Sequence, residues 1–460
     1  MEILAKTFLV YGIQTTGKSA VNFLFARGAK TVYIYDDWDC DEIQDAIKLD
    51  NFDDVKNLNI NYCILSPGVN VLGNKNIELL EKLDIPYMSE FCLGLTKAQG
   101  RNVCITGTNG KTTTTNLIYD LLRTQNNEVF LCGNRDTPIT QVANNTTKNS
   151  ILVCEVSSFA LESIINEFKP QVSSILNITV DHISRHKTFE NYKNTKFNIT
   201  INQNKNNYFI CEYNLKVKTN AQILTFSLSN NNADIYCKNN YIIFKNKKLL
   251  KINKIKLLGE KNLENIMCAT LISKLFGIKN RNIRKIIYSF KAPSHRMEEV
   301  CNINGIKFID DSKATNPDAT ICALKSFKKN VILLLGGSDK GYSYDEIFSY
   351  TQNVKNIITF GEMNEKIYLC AKKHNFDFIV KYDKFFDAVS FAKKISKKGD
   401  VVLLSPACAS FDEFSSYKQR GDEFKKIIKG ENEKTKNWQN DYNCFCLYDC
   451  FMYYRLCYGV

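Results

Sequence analysis

The sequence has 460 residues, of which 44% are hydrophobic and 24% charged, and its formal net charge is +13. This composition is typical of a globular protein with room for about three domains. No apolar run reaches the ~18 residues of a membrane-spanning helix, and no signal-peptide pattern follows Met1, so we expect a cytoplasmic protein without a membrane span. The positive charge could indicate binding to nucleic acid. Because the lysines are spread through an Asn-rich sequence, however, we expect them to lie on solvated faces and expect no nucleic-acid partner.

The 17 cysteines lack paired C-x-x-C spacing with histidine partners, so the sequence predicts reduced thiols rather than a zinc site. Several of them, such as Cys63, Cys104 and Cys154, lie in apolar runs and are predicted to be small buried residues.

A first domain is predicted over residues 1–92. The pattern indicates a strand at Phe8–Tyr11, a turn over 12–18, a helix at Ser19–Ala26 and a strand at Thr31–Tyr35. The acids Asp36 and Asp37 follow this second strand, where they could bind a ribose or a base. Gln14 stands where the dinucleotide fingerprint has its middle glycine, so a single nucleotide moiety fits better than a dinucleotide.

A second domain is predicted over residues 93–293, around a candidate phosphate loop. The apolar strand Val103–Ile105 leads into Gly107–Gly110, and an amphipathic helix follows from Lys111. Such a loop turns backbone N–H groups toward an anion, while Lys111 can reach phosphates and the hydroxyl of Thr112 or Thr113 can hold Mg²⁺. The standard Walker spacing would require glycine at Ile105, so a plain helix-capping turn is the alternative.

Two more strands of this domain end in candidate ligands. Ile151–Cys154 is followed by Glu155, which could hold Mg²⁺ or could be a helix cap or a surface acid. Ser173–Ile178 leads to Asp181 and His182, and His182 could contact a metal or a phosphate or could be a solvated loop residue. Residues 203–256 are predicted to form short strands, and 259–275 a helix.

A third domain is predicted over residues 294–430, because strands alternate with helical patterns in the manner of a second open parallel sheet. The predicted strands are Lys307–Ile309, Asn330–Leu335, Asn356–Phe360 and Asp400–Leu404, and the predicted helices include Tyr344–Tyr350 and Phe385–Ile395. Residues 431–460 form an aromatic tail with four cysteines, which could bind metal but is more simply an accessory extension of unknown function or a read-through segment without function.

These stretches together resemble the Mur ligase family, and within it the branch that adds D-glutamate. The resemblance covers about residues 5 to 428 in family order. It is carried by the runs Thr106–Thr113, Glu155–Phe159, Asp181–His182, His295–Arg296, Asp311–Asn316, Leu404–Asp412 and Gln419–Gly421. The Asp-Asn-Pro-Arg signature of diaminopimelate- or lysine-adding relatives is absent from the sequence.

The resemblance implies an α/β chain of three domains: a Rossmann-like nucleotide-sugar domain, a central P-loop ATPase-like domain and a Rossmann-like C-terminal domain. It implies a monomeric enzyme of peptidoglycan synthesis. Such an enzyme transfers the γ-phosphoryl group of ATP to the carboxylate of UDP-N-acetylmuramoyl-L-alanine, and the amine of D-glutamate then attacks the acyl phosphate. ATP and Mg²⁺ are the implied cofactors.

The resemblance also implies site residues. The implied catalytic residues are Lys111, His182, Lys196 and Arg296. The implied ATP contacts are Gly107, Thr108, Asn109, Gly110, Lys111, Thr112, Thr113, Asn262, Asn265, Arg296 and Asp311. The implied Mg²⁺ ligands are Thr112, Glu155, His182 and Lys196, the last at the position of the family's carbamylated lysine. The implied substrate contacts are Thr15, Thr16, Asp36, Asp37, Ser66, Gly68, Asn134 and His182 for the UDP-sugar, and Lys313, Thr315, Lys340, Ser410 and Tyr417 for D-glutamate.

Two alternatives stay open at this point. Another amide ligase of the superfamily, such as a folylpolyglutamate synthase, would share the phosphate loop. A degenerate, non-catalytic nucleotide-binding homologue would be expected to have lost one of the charged site residues, all of which are present here.

Overall fold

Three sheets, each flanked by helices, make up the fold in the computed structural model, which describes residues 2–38, 40–134 and 137–430. The predicted tail at 431–460 lies outside the described residues. The chain divides into two compact units, one over Met1–Lys291 and one that begins at Ala292. The predicted α/β class is confirmed, while the domain limits at residues 92 and 293 stay a prediction. No helix among the described residues is long and apolar enough to cross a membrane.

The first sheet has five parallel strands in the order β3-β2-β1-β4-β5, the order of half a doubly wound nucleotide-binding fold. Its strands and helices are β1 (Thr7–Tyr11), α1 (Thr15–Ala26), β2 (Thr31–Tyr35), β3 (Ile47–Lys48), β4 (Tyr62–Leu65), α2 (Lys75–Lys82), β5 (Tyr87–Ser89) and α3 (Glu90–Lys97).

The second sheet has nine strands in the order β14-β13-β12-β11-β10-β9-β6-β8-β7, and all pairs are parallel except those of β13. Its strands and helices are β6 (Arg101–Thr106), α4 (Lys111–Leu122), β7 (Val129–Gly133), α5 (Ile139–Ala143), β8 (Ile151–Glu155), β9 (Val172–Ile175), α6 (Ile183–His186), α7 (Phe189–Phe197), β10 (Tyr208–Glu212), β11 (Gln222–Ser227), β12 (Ile235–Lys238), β13 (Tyr241–Phe244), β14 (Lys247–Lys251), α8 (Glu260–Leu275) and α9 (Asn280–Ser289).

The third sheet, in the second unit, has six strands in the order β15-β16-β20-β17-β18-β19, and only β15 runs antiparallel. Its strands and helices are β15 (Glu298–Ile303), β16 (Ile306–Asp310), α10 (Pro317–Leu324), β17 (Val331–Gly336), α11 (Asp345–Phe348), β18 (Val354–Phe360), α12 (Asn364–Lys373), β19 (Ile379–Lys381), α13 (Phe385–Ile395), β20 (Val401–Ala407) and α14 (Tyr417–Lys429). The central strands are continuous apolar runs because helices cover both faces of a parallel sheet.

Several predicted elements have different limits in the structure, and three of the differences have a clear local cause or consequence. Helix α1 begins at Thr15 rather than Ser19, because the chain turns earlier, at Gly12 with φ +91° and Gln14 in extended conformation. The strand predicted over 173–178 ends at Ile175, where the chain leaves the sheet and contacts the phosphate loop. The helix predicted over 344–350 is the single turn α11.

Candidate functional site

The phosphate loop joins the central strand β6 to helix α4. Gly107 has φ +152° and Gly110, the residue before the helix, has φ +89°, a left-handed conformation that favours glycine. A Cβ atom at Gly110 would also lie only 3.0 Å from Cγ of Asn265 on helix α8. The first N–H groups of α4 have no partner within the helix, so the loop and helix end form a site suited to an anion.

The loop is fixed by the segment that follows the neighbouring strand β9. The backbone N–H of Thr108 donates to the carbonyl of Asn177 over 3.0 Å, and the amide side chain of Asn177 accepts from Asn109 N over 2.9 Å and donates to Asn109 O over 3.0 Å. The hydroxyl of Thr108 accepts from Thr179 N over 3.0 Å. The conformation of the phosphate loop is therefore fixed by residues that the sequence pattern did not single out.

Two lysine side chains converge on one carbonyl of this loop. Nζ of Lys111 donates to the carbonyls of Gly107 and Thr108 over 2.7 and 2.9 Å, and Nζ of Lys196 donates to Gly107 O over 3.1 Å. Lys196 is 1% exposed and lies 4.5 Å from the ring centroid of Tyr192. Burial, together with the charge of Lys111, lowers the pKa of Lys196 well below its usual value, against the opposing effect of Asp181.

Glu155 ends β8, the strand on the other side of β6. Its partner in the sheet register is Ile105, so its carboxylate belongs to the same strand-end edge as the phosphate loop. The side chain is 3% exposed, and the Asn134 amide donates to its Oε1 over 3.3 Å. Carboxylate and hydroxyl oxygens such as those of Glu155 and Thr112 are the donors that Mg²⁺ takes, so the residues present fit such an ion.

His182 is the residue before helix α6 and has a left-handed conformation with φ +53°, and its ring stands edge-on to Phe159 with the ring centroids 4.8 Å apart. Its side chain is 38% exposed, and Nε2 lies 3.6 Å from Asp181 Oδ2. The structure therefore places His182 on an accessible loop rather than in the core.

Arg185, one turn further, links the first two sheets. Its guanidinium donates to both carboxylate oxygens of Glu162 over 2.8 and 2.6 Å, and to the carbonyls of Pro67 and Val69 over 2.7 and 2.6 Å. Arg185 thereby fixes the turn that contains Ser66 and Gly68, two predicted substrate contacts. Sequence reasoning missed this residue, because the carbonyl groups that it binds, at Pro67 and Val69, are more than a hundred positions away.

Six of the eight predicted sugar-nucleotide contacts gather at the carboxyl ends of β1, β2 and β4 or at the start of α1, whereas Asn134 follows β7 and His182 precedes α6. Asp36 accepts from Ile13 N over 2.5 Å, and Asp37 accepts from the hydroxyl of Tyr11 over 2.8 Å. The hydroxyl of Ser66 donates to Gly12 O over 2.5 Å. The remaining members lie at the surface of this edge or at the start of α1, namely Thr15, Thr16 and Gly68.

Helix α8 supplies the other predicted nucleotide contacts of the first unit. Asn265 is buried beside Gly110, and its amide donates to Oδ1 of Asn262 over 3.2 Å. Asn262 in turn donates to Leu258 O over 2.7 Å. The two amides thus form a short chain next to the phosphate loop.

In the second unit, the predicted residues follow strands β16, β17 and β20, except Arg296, which precedes β15. Asp311 is buried, accepts from the hydroxyl of Ser405 over 2.9 Å and from Met297 N over 3.1 Å, and burial raises its pKa to about 7. Arg296 is partly buried one residue before Met297. The ammonium of Lys313 lies 4.9 Å from the ring centroid of Tyr417.

The other predicted D-glutamate contacts occupy the same strand-end edge of the third sheet. Ser410 is buried after β20, Thr315 precedes α10, and Lys340 lies over the ring of Tyr342 at 5.2 Å after β17.

A buried guanidinium holds these strand-end loops. Arg420 of α14 is 0% exposed, and it donates to Ser312 Oγ and Ser312 O over 3.0 and 2.8 Å, to Ala409 O over 2.8 Å and to Cys408 O over 3.1 Å. Burial lowers its pKa to about 10. Arg420 lies in the run Gln419–Gly421 that carries the family resemblance, but the sequence alone does not predict this structural role.

Comparison with known proteins gives one consistent result. Residues 105–273 match the protein family described as "Mur ligase middle domain", and residues 295–408 match the family described as "Mur ligase, glutamate ligase domain". The chain is 36% identical to the UDP-N-acetylmuramoylalanine–D-glutamate ligase of Caldanaerobacter subterraneus subsp. tengcongensis, over 93% of this chain and 99% of that protein. It is 35% identical to the ligase of the same name from Clostridioides difficile, over 92% and 98%.

Solved structures agree at the level of the fold. The MurF ligase of Thermotoga maritima in complex with ADP matches with a TM-score of 0.61 and 17% identity, over 93% of this chain and 96% of that one. The UDP-N-acetylmuramate–alanine ligase of the same organism matches with a TM-score of 0.59 and 16% identity, over 93% and 100%.

Proposed function

Because the chain belongs to the Mur ligase family, we propose that it joins D-glutamate to UDP-N-acetylmuramoyl-L-alanine at the expense of ATP, in peptidoglycan synthesis. The observation that carries the proposal is the convergence of Lys111 and Lys196 on the carbonyl of Gly107, in a loop whose conformation is fixed by hydrogen bonds to Asn177. Phosphoryl transfer to a carboxylate brings two anions together, so it requires fixed positive charge rather than a protein nucleophile.

In this proposal Lys111 moves its ammonium from the loop carbonyls to the β- and γ-phosphates of ATP. The amides of residues 107–113 contact the phosphates, and Asn262 and Asn265 line the nucleotide site from α8. Thr112 and Glu155 would hold one Mg²⁺, which neutralises phosphate charge when bound. Metal removal by EDTA is then expected to abolish turnover.

Lys196 is proposed to act as a carbamate. Its burial and the neighbouring charge of Lys111 favour the neutral amine, and a neutral amine can add CO₂ to form a carbamate with loss of one proton. The product is an anionic oxygen donor, which together with His182 suits a second Mg²⁺.

The substrates are assigned by the same reasoning. The strand-end edge of the first sheet, with Thr15, Thr16, Asp36, Asp37, Ser66 and Gly68, is proposed to bind the UDP-sugar together with Asn134 and His182. Lys313, Thr315, Lys340, Ser410 and Tyr417 are proposed to bind the carboxylates of D-glutamate, while Arg296 and Asp311 contact ATP. The amine of D-glutamate attacks the acyl phosphate, and an amide, ADP and phosphate are formed.

The proposal is tested by phosphate release from ATP and Mg²⁺ in the presence of UDP-N-acetylmuramoyl-L-alanine. Release is expected with D-glutamate and not with L-glutamate, D-alanine or a diamino acid. Release with a diamino acid instead would assign the chain to another amide ligase. ATP binding without release under any pairing would identify a non-catalytic homologue.

The Lys111→Ala variant is expected to lower kcat by at least about 100-fold, because one fixed charge on the transferred group is lost. Arg123→Ala is the matched control, since Arg123 is an exposed cation just beyond the other end of α4. Equal activity of the two variants would contradict the role of Lys111.

A further inference from the structure

Three side chains with different donor atoms meet on helices α11 and α12 of the second unit. Asp345, Cys370 and His374 each place one potential ligand atom within 4.8 Å of the other two. Nε2 of His374 lies 2.8 Å from Asp345 Oδ1, and Sγ of Cys370 lies within 4.8 Å of a ligand atom of each. Cys370 and His374 are four positions apart, which puts both on one face of α12 and its end.

Neighbouring residues fix two of these side chains in place. The ring of His374 stacks on Phe348, with centroids 5.4 Å apart and planes 9° apart. The hydroxyl of Ser343 donates to Asp345 Oδ2 over 2.6 Å. Outer contacts of this kind orient ligands before a metal arrives.

We propose that Asp345, Cys370 and His374 form a binding site for a zinc-class divalent transition metal, separate from the strand-end loops of the second unit. Sulfur, imidazole nitrogen and carboxylate oxygen are the donors of tetrahedral zinc sites, and three protein ligands leave a fourth position for water. The Cys370 thiol releases its proton to solvent as the sulfur–metal bond forms.

A lysine is the local competitor for the carboxylate. Nζ of Lys373 lies 2.9 Å from Asp345 Oδ1, but its side chain is 71% exposed and can turn to solvent when a metal binds. The second group of this type, His295, Glu298 and Asp310, differs in this respect. In that group Nζ of Lys425 lies 2.7 Å from Glu298 Oε2 and 3.6 Å from Asp310 Oδ2, and its side chain is only 19% exposed. The ammonium of Lys425 therefore takes the place that a metal ion would need.

The topology separates the proposed site from the strand-end loops. Helix α12 starts after the carboxyl end of β18 and runs back along the sheet, so its last turn lies toward the opposite ends of the strands. A ten-residue helix spans about 15 Å. A bound metal would join α11 to the end of α12, and we infer a stabilising rather than a catalytic ion.

The test uses the full-length reduced protein, first with Co²⁺ as a spectroscopic probe and then with Zn²⁺ as competitor. We expect a thiolate-to-cobalt charge-transfer band that Zn²⁺ removes. Cys370→Ser should lose this band, and His374→Gln and Asp345→Asn should each weaken Co²⁺ binding at least tenfold. Cys301→Ser is the matched control, because it removes another partly buried thiol of the same unit and should keep the band.

Thermal unfolding gives a second readout that does not depend on cobalt. Zn²⁺ should raise the Tm of the wild type and of Cys301→Ser, but not that of Cys370→Ser or His374→Gln. Absence of a cobalt band, or a band that survives Cys370→Ser, would overturn the proposal. So would a band lost in Cys370→Ser but unchanged in both His374→Gln and Asp345→Asn, since that result indicates a lone thiol adduct.

Discussion

The loop after β6 in the first unit and the loops after β16 and β20 in the second unit are held in different ways. In the first unit, several hydrogen bonds with Asn177 and Thr179 together fix Thr108 and Asn109. In the second unit, the guanidinium of Arg420 by itself makes four hydrogen bonds to the loops after β16 and β20. A substitution in the first set leaves some of the bonds in place, whereas a substitution of Arg420 removes all four of its hydrogen bonds together.

The largest effect is therefore expected from Arg420→Met. The substitution removes the donors for three carbonyl groups and one hydroxyl in a fully buried position, so we expect a loss of about 3–5 kcal/mol in the free energy of unfolding of the second unit. Urea unfolding followed by hydrogen exchange of residues 292–430 measures this loss.

Lys426→Met is the control for Arg420→Met, because Lys426 is an exposed cation on the same helix and lies 3.8 Å from the carboxylate of Glu423. A loss below about 1 kcal/mol in Arg420→Met, in the range of the surface control, would show that the loops do not depend on this one residue.

The sequence predicts features whose signals lie close together along the chain. The phosphate loop was found because its signals are local: an apolar strand, two glycines, Lys111 and a threonine run, all within 13 residues. The alternation of apolar runs predicted the parallel sheets for the same reason. The start of α1 was missed because the two threonines at its first turn have the composition of a loop.

The positioning residues could not be found in this way. Asn177 and Asn109 are 68 positions apart, and Arg420 and Ser312 are 108 apart. Nothing in the neighbouring sequence distinguishes Asn177 from the many other asparagines of this chain. Likewise, Asp345 joins Cys370 and His374 only through the packing of two helices, and the sequence spacing therefore predicted no metal site.

A smaller effect is expected from a buried carboxyl group at the start of α3 in the first unit. Glu90 is 3% exposed and accepts from Thr140 N and Thr140 Oγ1 over 2.8 and 2.6 Å, and burial raises its pKa to about 7. In the unfolded chain the pKa is about 4.3, so the folded state binds the proton more tightly. The stability that this group contributes is complete below about pH 4, and it is lost as the pH rises to about 7.

Glu90→Gln should remove this pH dependence and should leave the first unit up to about 3 kcal/mol more stable than the wild type at pH 8. Unfolding at a series of pH values measures it, with Glu78→Gln on the exposed face of α2 as control. Parallel pH profiles for the wild type and Glu90→Gln would contradict the prediction. The second unit should keep a dependence of its own through Asp311, whose pKa burial also raises to about 7.

The smallest effect is expected from Asn177→Ala, which removes two of the bonds to Asn109 but leaves the backbone bond from Thr108 N. We expect a loss of about 1–2 kcal/mol in the binding of ATP, or roughly 5- to 30-fold in Kd, with the unfolding of the first unit nearly unchanged. Asn102→Ala is the control, because Asn102 accepts from Gln171 N over 2.8 Å at the other end of β6. If Asn177→Ala instead unfolded the first unit, its loop would depend on one side chain as the second unit's loops depend on Arg420, and the difference between the two units would disappear.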